Sequence, residues 1–267
     1  MASAVSTSSA KNSLVIITPM SQIIRLVRSH GLWGLIRLTY RRVVLKTAAF
    51  LIRQAAPGGI DPYHKGWQML MDLTGQMSGY SVLELGSRCR VGVHQFEGSS
   101  KHVGLDVNAG PNVDVVGDAH KLSTLLTEKF DVVYSISVFE HLVMPWKVIL
   151  EINRVMNDGG LLYISTHPCW PSHALPWDFY RFEREAFRGL LNRATGFEIL
   201  FLAEGLPAAI LPLVREASTR GLELEPVNLG VTVLARKIGS AGSELSWNVD
   251  LSEFLESHYP ESGHSYL

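Results

Sequence analysis

Between Tyr80 and Asp118 the chain reads YSVLELGSRCRVGVHQFEGSSKHVGLDVNAGPNVDVVGD, and its acids fall where a polar ligand can be gripped. Three apolar runs, Ser81 to Leu85, His102 to Leu105 and Val113 to Val116, close on Glu84 with Gly86, on Asp106 and on Asp118. Short apolar runs of this kind predict buried parallel strands. In an open α/β sheet, ligands bind beyond the carboxyl ends of the strands, where strand order reverses. Carboxylates placed there accept hydrogen bonds from hydroxyls and amines, and a glycine lets backbone approach a ligand with no side chain in the way. A single acid in such a place is as well explained by capping. Three at successive strand ends point to one shared crevice.

A second group of reactive side chains follows two later strands. Phe130 to Val138 (FDVVYSISV) predicts a fourth strand carrying Ser135, with Glu140 and His141 directly after it. Leu161 to Ser165 predicts a fifth, followed by THPCWPSHALPWDFYRF. Histidine titrates near neutral pH, so His173 or His167 is a candidate base, with Asp178 orienting that base or an acceptor. Trp170 and Tyr180 offer faces for sugar or ring carbons, while Arg181 either binds an anionic group or pairs with Asp178. No zinc-type ligand spacing is present, and no metal is expected from the sequence.

These residues resemble the class I S-adenosylmethionine-dependent methyltransferases, over about Tyr80 to Phe197. The W-P-x-H stretch with its D-(aromatic)-(aromatic)-R-F continuation is similar to a type 11-like subgroup that modifies glycans and small molecules. The resemblance implies that Glu84 and Gly86, with Ser87 beside them, lie under the methionine part of the cofactor. It implies further that Asp106 holds the ribose hydroxyls, that Asp118 and Ala119 flank the adenine, and that Ser135 and His141 edge the same pocket. The chain departs from the family where Ser87, Arg88, Cys89 and Arg90 stand in place of alternating glycines, so the loop is bulkier. A dinucleotide needs G-x-G-x-x-G after the first strand, and only Gly86 and Gly92 are present, which argues against nicotinamide or flavin.

The elements expected to position these groups make a Rossmann-like α/β fold, a seven-stranded, mostly parallel sheet with helices on both faces. The sixth and seventh strands are expected at Phe197 to Ala203 and Leu229 to Ala235, and the apolar insert Gly205 to Asn228 as a covering helix or as ordinary core. Asp61 to Met77 predicts a helix, with Tyr63, His64 and Trp67 as a lid or as packing. Helices are also expected at 94–96, 118–128, 145–157 and 183–194. Residues 1–60 form a basic arm, 61–238 the domain and 239–267 an acidic tail.

Of 267 residues, 46% are hydrophobic, enough for a sizeable core, and two cysteines, Cys89 and Cys169, suggest a reducing compartment. The net charge of -1 hides an asymmetry: residues 1–60 hold eight Lys or Arg and no acid. Three readings of this arm stand: an interfacial helix on an anionic membrane, a transit peptide, or a helix packed on the domain. No apolar run reaches the roughly 20 residues of a membrane span. Nucleic acid is not the expected partner, since the basic residues are interleaved with aliphatic ones. The expected activity is O-methylation of a small-molecule or glycan hydroxyl by a cytoplasmic protein, with peripheral membrane contact through the arm. The alternative is a catalytically inactive methyltransferase-like binding protein at a membrane surface.

Overall fold

The computed structural model describes residues 19–55, 58–89, 96–214 and 216–248, and divides the chain into two units, Met1–Gly58 and Gly59–Leu267. The first is a helix, α1 (Pro19–Ala55), interrupted at Gly31, whose φ of 69° and ψ of 170° are not helical. Over its whole length α1 is only weakly amphipathic, because that break resets which residues share a face. Trp33 is 82% exposed and Tyr40 70% exposed, and Arg37, Arg41, Arg42 and Lys46 are exposed with them. No described helix is long and apolar enough to cross a membrane.

The second unit opens with α2 (Pro62–Thr74). Asp61 caps it by accepting from the His64 amide at 3.3 Å, Pro62 sits where its missing N–H is not needed, and Gly75 closes it. Pro62, Gly66, Leu70 and Thr74 recur every four residues and are buried as one stripe. Gly66 is required there, since a Cβ would come within 2.7 Å of Thr232 Cγ2.

The sheet has seven strands: β1 (Ser81–Leu85), β2 (Lys101–Asp106), β3 (Val115–Val116), β4 (Phe130–Ile136), β5 (Met156–Thr166), β6 (Phe197–Ala209) and β7 (Pro226–Lys237). Their order is β3-β2-β1-β4-β5-β7-β6, parallel throughout except for β7, which runs against both β5 and β6. The chain moves outward one way from β1 to β3 and the other way from β4, so the reversal lies between β1 and β4. Leu83, Leu85, Val133 and Leu162 bury one face with α4 (Pro145–Val155) and α5 (Arg184–Leu190), through Val148, Ile149, Ile152 and Phe187. Val82, Tyr134 and Tyr163 bury the other face with Leu70 and Trp67 of α2. Tyr63 and Trp67 therefore pack into this aromatic layer, with the Trp67 ring 5.2 Å from that of Tyr163. That is the packing alternative and not the lid.

Several boundaries differ from the sequence expectation. The helix expected at 118–128 is a 3-10 turn, Ala119–Lys121, running into the four-residue α3 (Leu122–Leu125). β5 begins at Met156, five residues early, because Gly159 takes a φ of 84° and lets the backbone kink without leaving the sheet. The insert 205–228 is neither a covering helix nor core. Pro207 and Pro212 deny a helix two of its donors, and β6 and β7 run on as an antiparallel pair as far as Ala209 and Pro226. Leu211, Leu213 and Val214 are exposed beyond it. The short helix expected at 94–96 lies almost wholly outside the described residues, as does the acidic tail beyond 248.

Candidate functional site

The sequence-derived acids occupy the carboxyl ends of three adjacent strands, yet each keeps its own partners. Glu84 is buried in β1 with its carboxylate 3.5 Å from His102 Nε2, and the Tyr134 hydroxyl lies 3.3 Å from the same nitrogen. Asp106 ends β2 and accepts from the amides of Asn108 at 2.9 Å and Arg88 at 3.3 Å. The Arg88 guanidinium stands 3.8 Å from it. Asp118 caps the turn that contains Ala119, accepting through Oδ1 from the His120 amide at 2.9 Å and from His120 Nδ1 at 2.6 Å. His120 Nε2 accepts in turn from the Met144 amide at 3.2 Å, so its ring proton sits on Nδ1. Burial pushes the Asp118 carboxyl upward, but the His120 hydrogen bonds outweigh it and hold the group below its ordinary value.

Gly86 joins β1 to the loop with a φ of 82°, and a Cβ there would overlap Val138 Cγ2, so no other residue fits. Ser87 and Ser135 are buried, and their Oγ atoms have no hydrogen-bond partner among the described residues. Ser135 pairs with Leu85 across the reversal point. Buried hydroxyls left in this state are costly unless a polar ligand meets them.

Across that reversal, the ends of β4 and β5 carry a more tightly bonded cluster. Ser137, a left-handed residue with φ of 54°, is held by its amide on the Ser165 carbonyl at 2.8 Å. Its hydroxyl lies 3.2 Å from His167 Nε2. The same nitrogen is 3.5 Å from Glu140 Oε1, while Nδ1 is 3.3 Å from the Leu229 carbonyl. Glu140 is fully buried, and its Oε2 accepts from the Thr166 hydroxyl at 2.6 Å. Trp170 stacks on His167, with ring centroids 4.7 Å apart. His141 Nδ1 is 2.5 Å from the Trp177 carbonyl, its ring 4.8 Å from that of His173, and burial lowers its pKa.

The loop after β5 is stapled by Arg181. Its Nε donates to Trp170 O, Nη1 to Asp178 Oδ1 and Tyr180 O, and Nη2 to Asp178 Oδ2 and Pro171 O. A guanidinium has five N–H groups, so none is left for an acceptor. Of the two roles the sequence left open for Arg181, pairing with Asp178 is the one its hydrogen bonds occupy. Asp178 also accepts from the His173 amide at 2.8 Å. Burial raises its carboxyl, and Arg181 with the His173 amide lowers it further, for a net value below the ordinary one. Tyr180 donates its hydroxyl to the Val143 carbonyl at 2.9 Å, and its ring packs beside that of Phe182 with centroids 5.7 Å apart.

With the fold and cluster in place, residues 74–164 match the family model described as "Methyltransferase domain". The chain carries a methyltransferase domain. No curated protein matches the chain. Among solved structures, the chain is similar to a putative S-adenosylmethionine-dependent methyltransferase from Listeria monocytogenes, at 16% identity over 66% of this chain and 96% of that one, TM-score 0.42. A putative methyltransferase from Bacillus halodurans aligns at 13% identity over 65% and 98%, TM-score 0.46. The N-methyltransferase NodS from Bradyrhizobium japonicum aligns at 11% over 66% and 96%, TM-score 0.42.

Sequence reasoning passed over Thr166, Ser137, His102 and His120. The first two act on Glu140 and His167 from other strand ends, which only the sheet order brings near. His120 had a usable signal, since a histidine two residues after a capping acid is placed to bond it.

Proposed function

We propose that the methyltransferase domain transfers a methyl group from S-adenosylmethionine to a hydroxyl of a small molecule or glycan. The observation that carries this reading is the juxtaposition, across the β1/β4 reversal, of an acid-lined end with two buried serine hydroxyls that have no partner among the described residues and a histidine-rich end. S-adenosylmethionine supplies an electrophilic methyl on a positively charged sulfur, which needs no phosphate-binding turn. Asp106 accepts from the ribose hydroxyls, and Asp118, through the oxygen that His120 leaves open, from the adenine amine. Gly86, Ser87, Ala119 and Ser135 line the nucleoside, and Glu84 braces β1 through His102.

On the acceptor side His167 is the base. Its Nδ1 proton is directed at the Leu229 carbonyl, so Nε2 bears the lone pair that takes the hydroxyl proton. His173, with Asp178 behind it, is the second candidate. Trp170 and Tyr180 pack the acceptor, and the stapled loop excludes water. Calorimetric titration with S-adenosylmethionine and S-adenosylhomocysteine tests the reading. Micromolar binding that is lost in Asp106→Ala supports it, and no binding to either leaves only the inactive binding-protein alternative.

For the arm, the exposed aromatic and cationic residues of α1 support contact with an anionic membrane surface. Flotation with phosphatidylserine vesicles tests this: co-migration at low salt that is lost at high salt is expected, and no co-migration at low salt ends it.

A further inference from the structure

Glu140 and His141, from the turn after β4, and His173, from the loop after β5, each place one ligand-capable atom within 4.8 Å of the others. The hydrogen bonds behind them are the kind that hold metal ligands. Nδ1 of His141 faces the Trp177 carbonyl at 2.5 Å and Nδ1 of His173 the Pro171 carbonyl at 3.1 Å. Each ring therefore carries its proton on Nδ1 and its lone pair on Nε2, with tautomer and orientation fixed from outside, as in metal-bound histidines. Glu140 is arranged likewise. Oε2 is fixed by the Thr166 hydroxyl, while Oε1 is buried and accepts no hydrogen bond among the described residues. Asp178, the other acid of the cluster, is already matched by Arg181. A buried carboxylate oxygen with no donor is costly, and a cation beside it removes that cost.

We propose that Glu140, His141 and His173 form a binding site for a divalent transition metal, Zn²⁺ in the first instance, with one coordination position open toward the acceptor. Two imidazoles and a carboxylate are a ligand set that catalytic zinc uses with a fourth position free, whereas Mg²⁺ and Ca²⁺ prefer oxygens alone. Bonds of about 2 Å place tetrahedral ligands about 3.3 Å apart. The 4.8 Å cluster closes to that by side-chain shifts of about an ångström. The ion's role rests on the methyl-transfer reading: it binds the acceptor hydroxyl and orients it, as a Lewis acid beside His167. The site itself does not rest on that reading. His173 then changes from alternative base to ligand. Sequence spacing concealed the trio, because the adjacent pair 140–141 and its third member belong to different loops.

The test uses tag-free full-length protein, stripped with chelator, incubated with ZnCl2 or CoCl2 and dialysed. Expected are about one equivalent of Zn²⁺ per chain and visible Co²⁺ absorption of a four- or five-coordinate site. Affinity should fall on the order of 100-fold in His173→Gln and in Glu140→Gln, and about 10-fold in Asp178→Asn, which reaches the site through His173 and through the loop that Arg181 staples. Thermal unfolding without metal checks that each variant is folded. His173→Gln is the decisive one, as it lies in the loop and not in the core. Substoichiometric Zn²⁺, or unchanged affinity in a folded His173→Gln, overturns the proposal. S-adenosylhomocysteine titrated into the same samples separates the two readings. Cofactor binding without metal binding removes the site alone, and metal binding without cofactor binding removes methyl transfer but keeps the site.

Discussion

The two ends that meet at the β1/β4 reversal are built on different principles. Beyond β1 to β3, the acids at the ends of β2 and β3 are held largely by backbone amides: Asp106 by that of Asn108 two residues on and by that of Arg88 from the turn after β1, Asp118 by that of His120 two residues on. Beyond β4 and β5, the bonds join residues far apart in the chain, Thr166 to Glu140, His141 to Trp177 and Tyr180 to Val143. A framework of backbone amides holds its shape whether or not a ligand is present. A loop tied across the chain depends on a few long-range bonds, and one substitution disturbs all of them.

The difference can be broken or sharpened by substitution. The largest effect is expected from His167→Ala, with turnover falling about 10²- to 10⁴-fold while calorimetric affinity for S-adenosylhomocysteine changes little. Asp106→Ala should do the reverse. Affinity falls roughly 10- to 100-fold, as expected for lost charge-assisted hydrogen bonds, and limited proteolysis of the loop after β5 is unchanged. Equal damage to both properties by either variant would erase the distinction. Arg181→Lys keeps the charge but loses the planar five-donor geometry, and should lower stability by about 1–3 kcal/mol in denaturant titration and open the loop to protease.

Acid provides a milder probe. The Asp118 and Asp178 carboxyls are held below their ordinary value of 3.8, so each contributes stability that is present above that value and lost as pH falls through the lower folded value. Unfolding midpoints followed from about pH 5 to pH 2 should decline, and the Asp178→Asn decline should be shallower. Leu211→Ser, at an exposed position after β6, should change stability by less than about 0.5 kcal/mol.

Much of the first end was legible in the sequence because its signals are local: an apolar run, then an acid, then a glycine. The position of β1, the cap at Asp61 and the strand-end places of Asp106 and Asp118 all follow from neighbours within a few residues. The second end was legible only as a list of reactive types. Nothing local indicates that Arg181 turns all five donors inward, or that Thr166 reaches Glu140, since those bonds exist only once β4 and β5 are paired. The insert 205–228 was misjudged for a related reason. Apolar content alone cannot distinguish a packed helix from an extended strand pair with exposed side chains.

Because β7 runs against its neighbours, the chain leaves the sheet at the edge remote from the reactive groups and must travel back. It does so along α4: the Asn153 side chain binds the Gly239 carbonyl and the Ala241 amide at one end, and at the other Trp247 donates to Met144 Sδ at 3.0 Å. Met144 is also the residue whose amide binds the histidine paired with Asp118. The return strap thus links the far rim of the protein to the Asp118 turn, and a deletion from residue 240 onward would be felt at that turn before it was felt in the core.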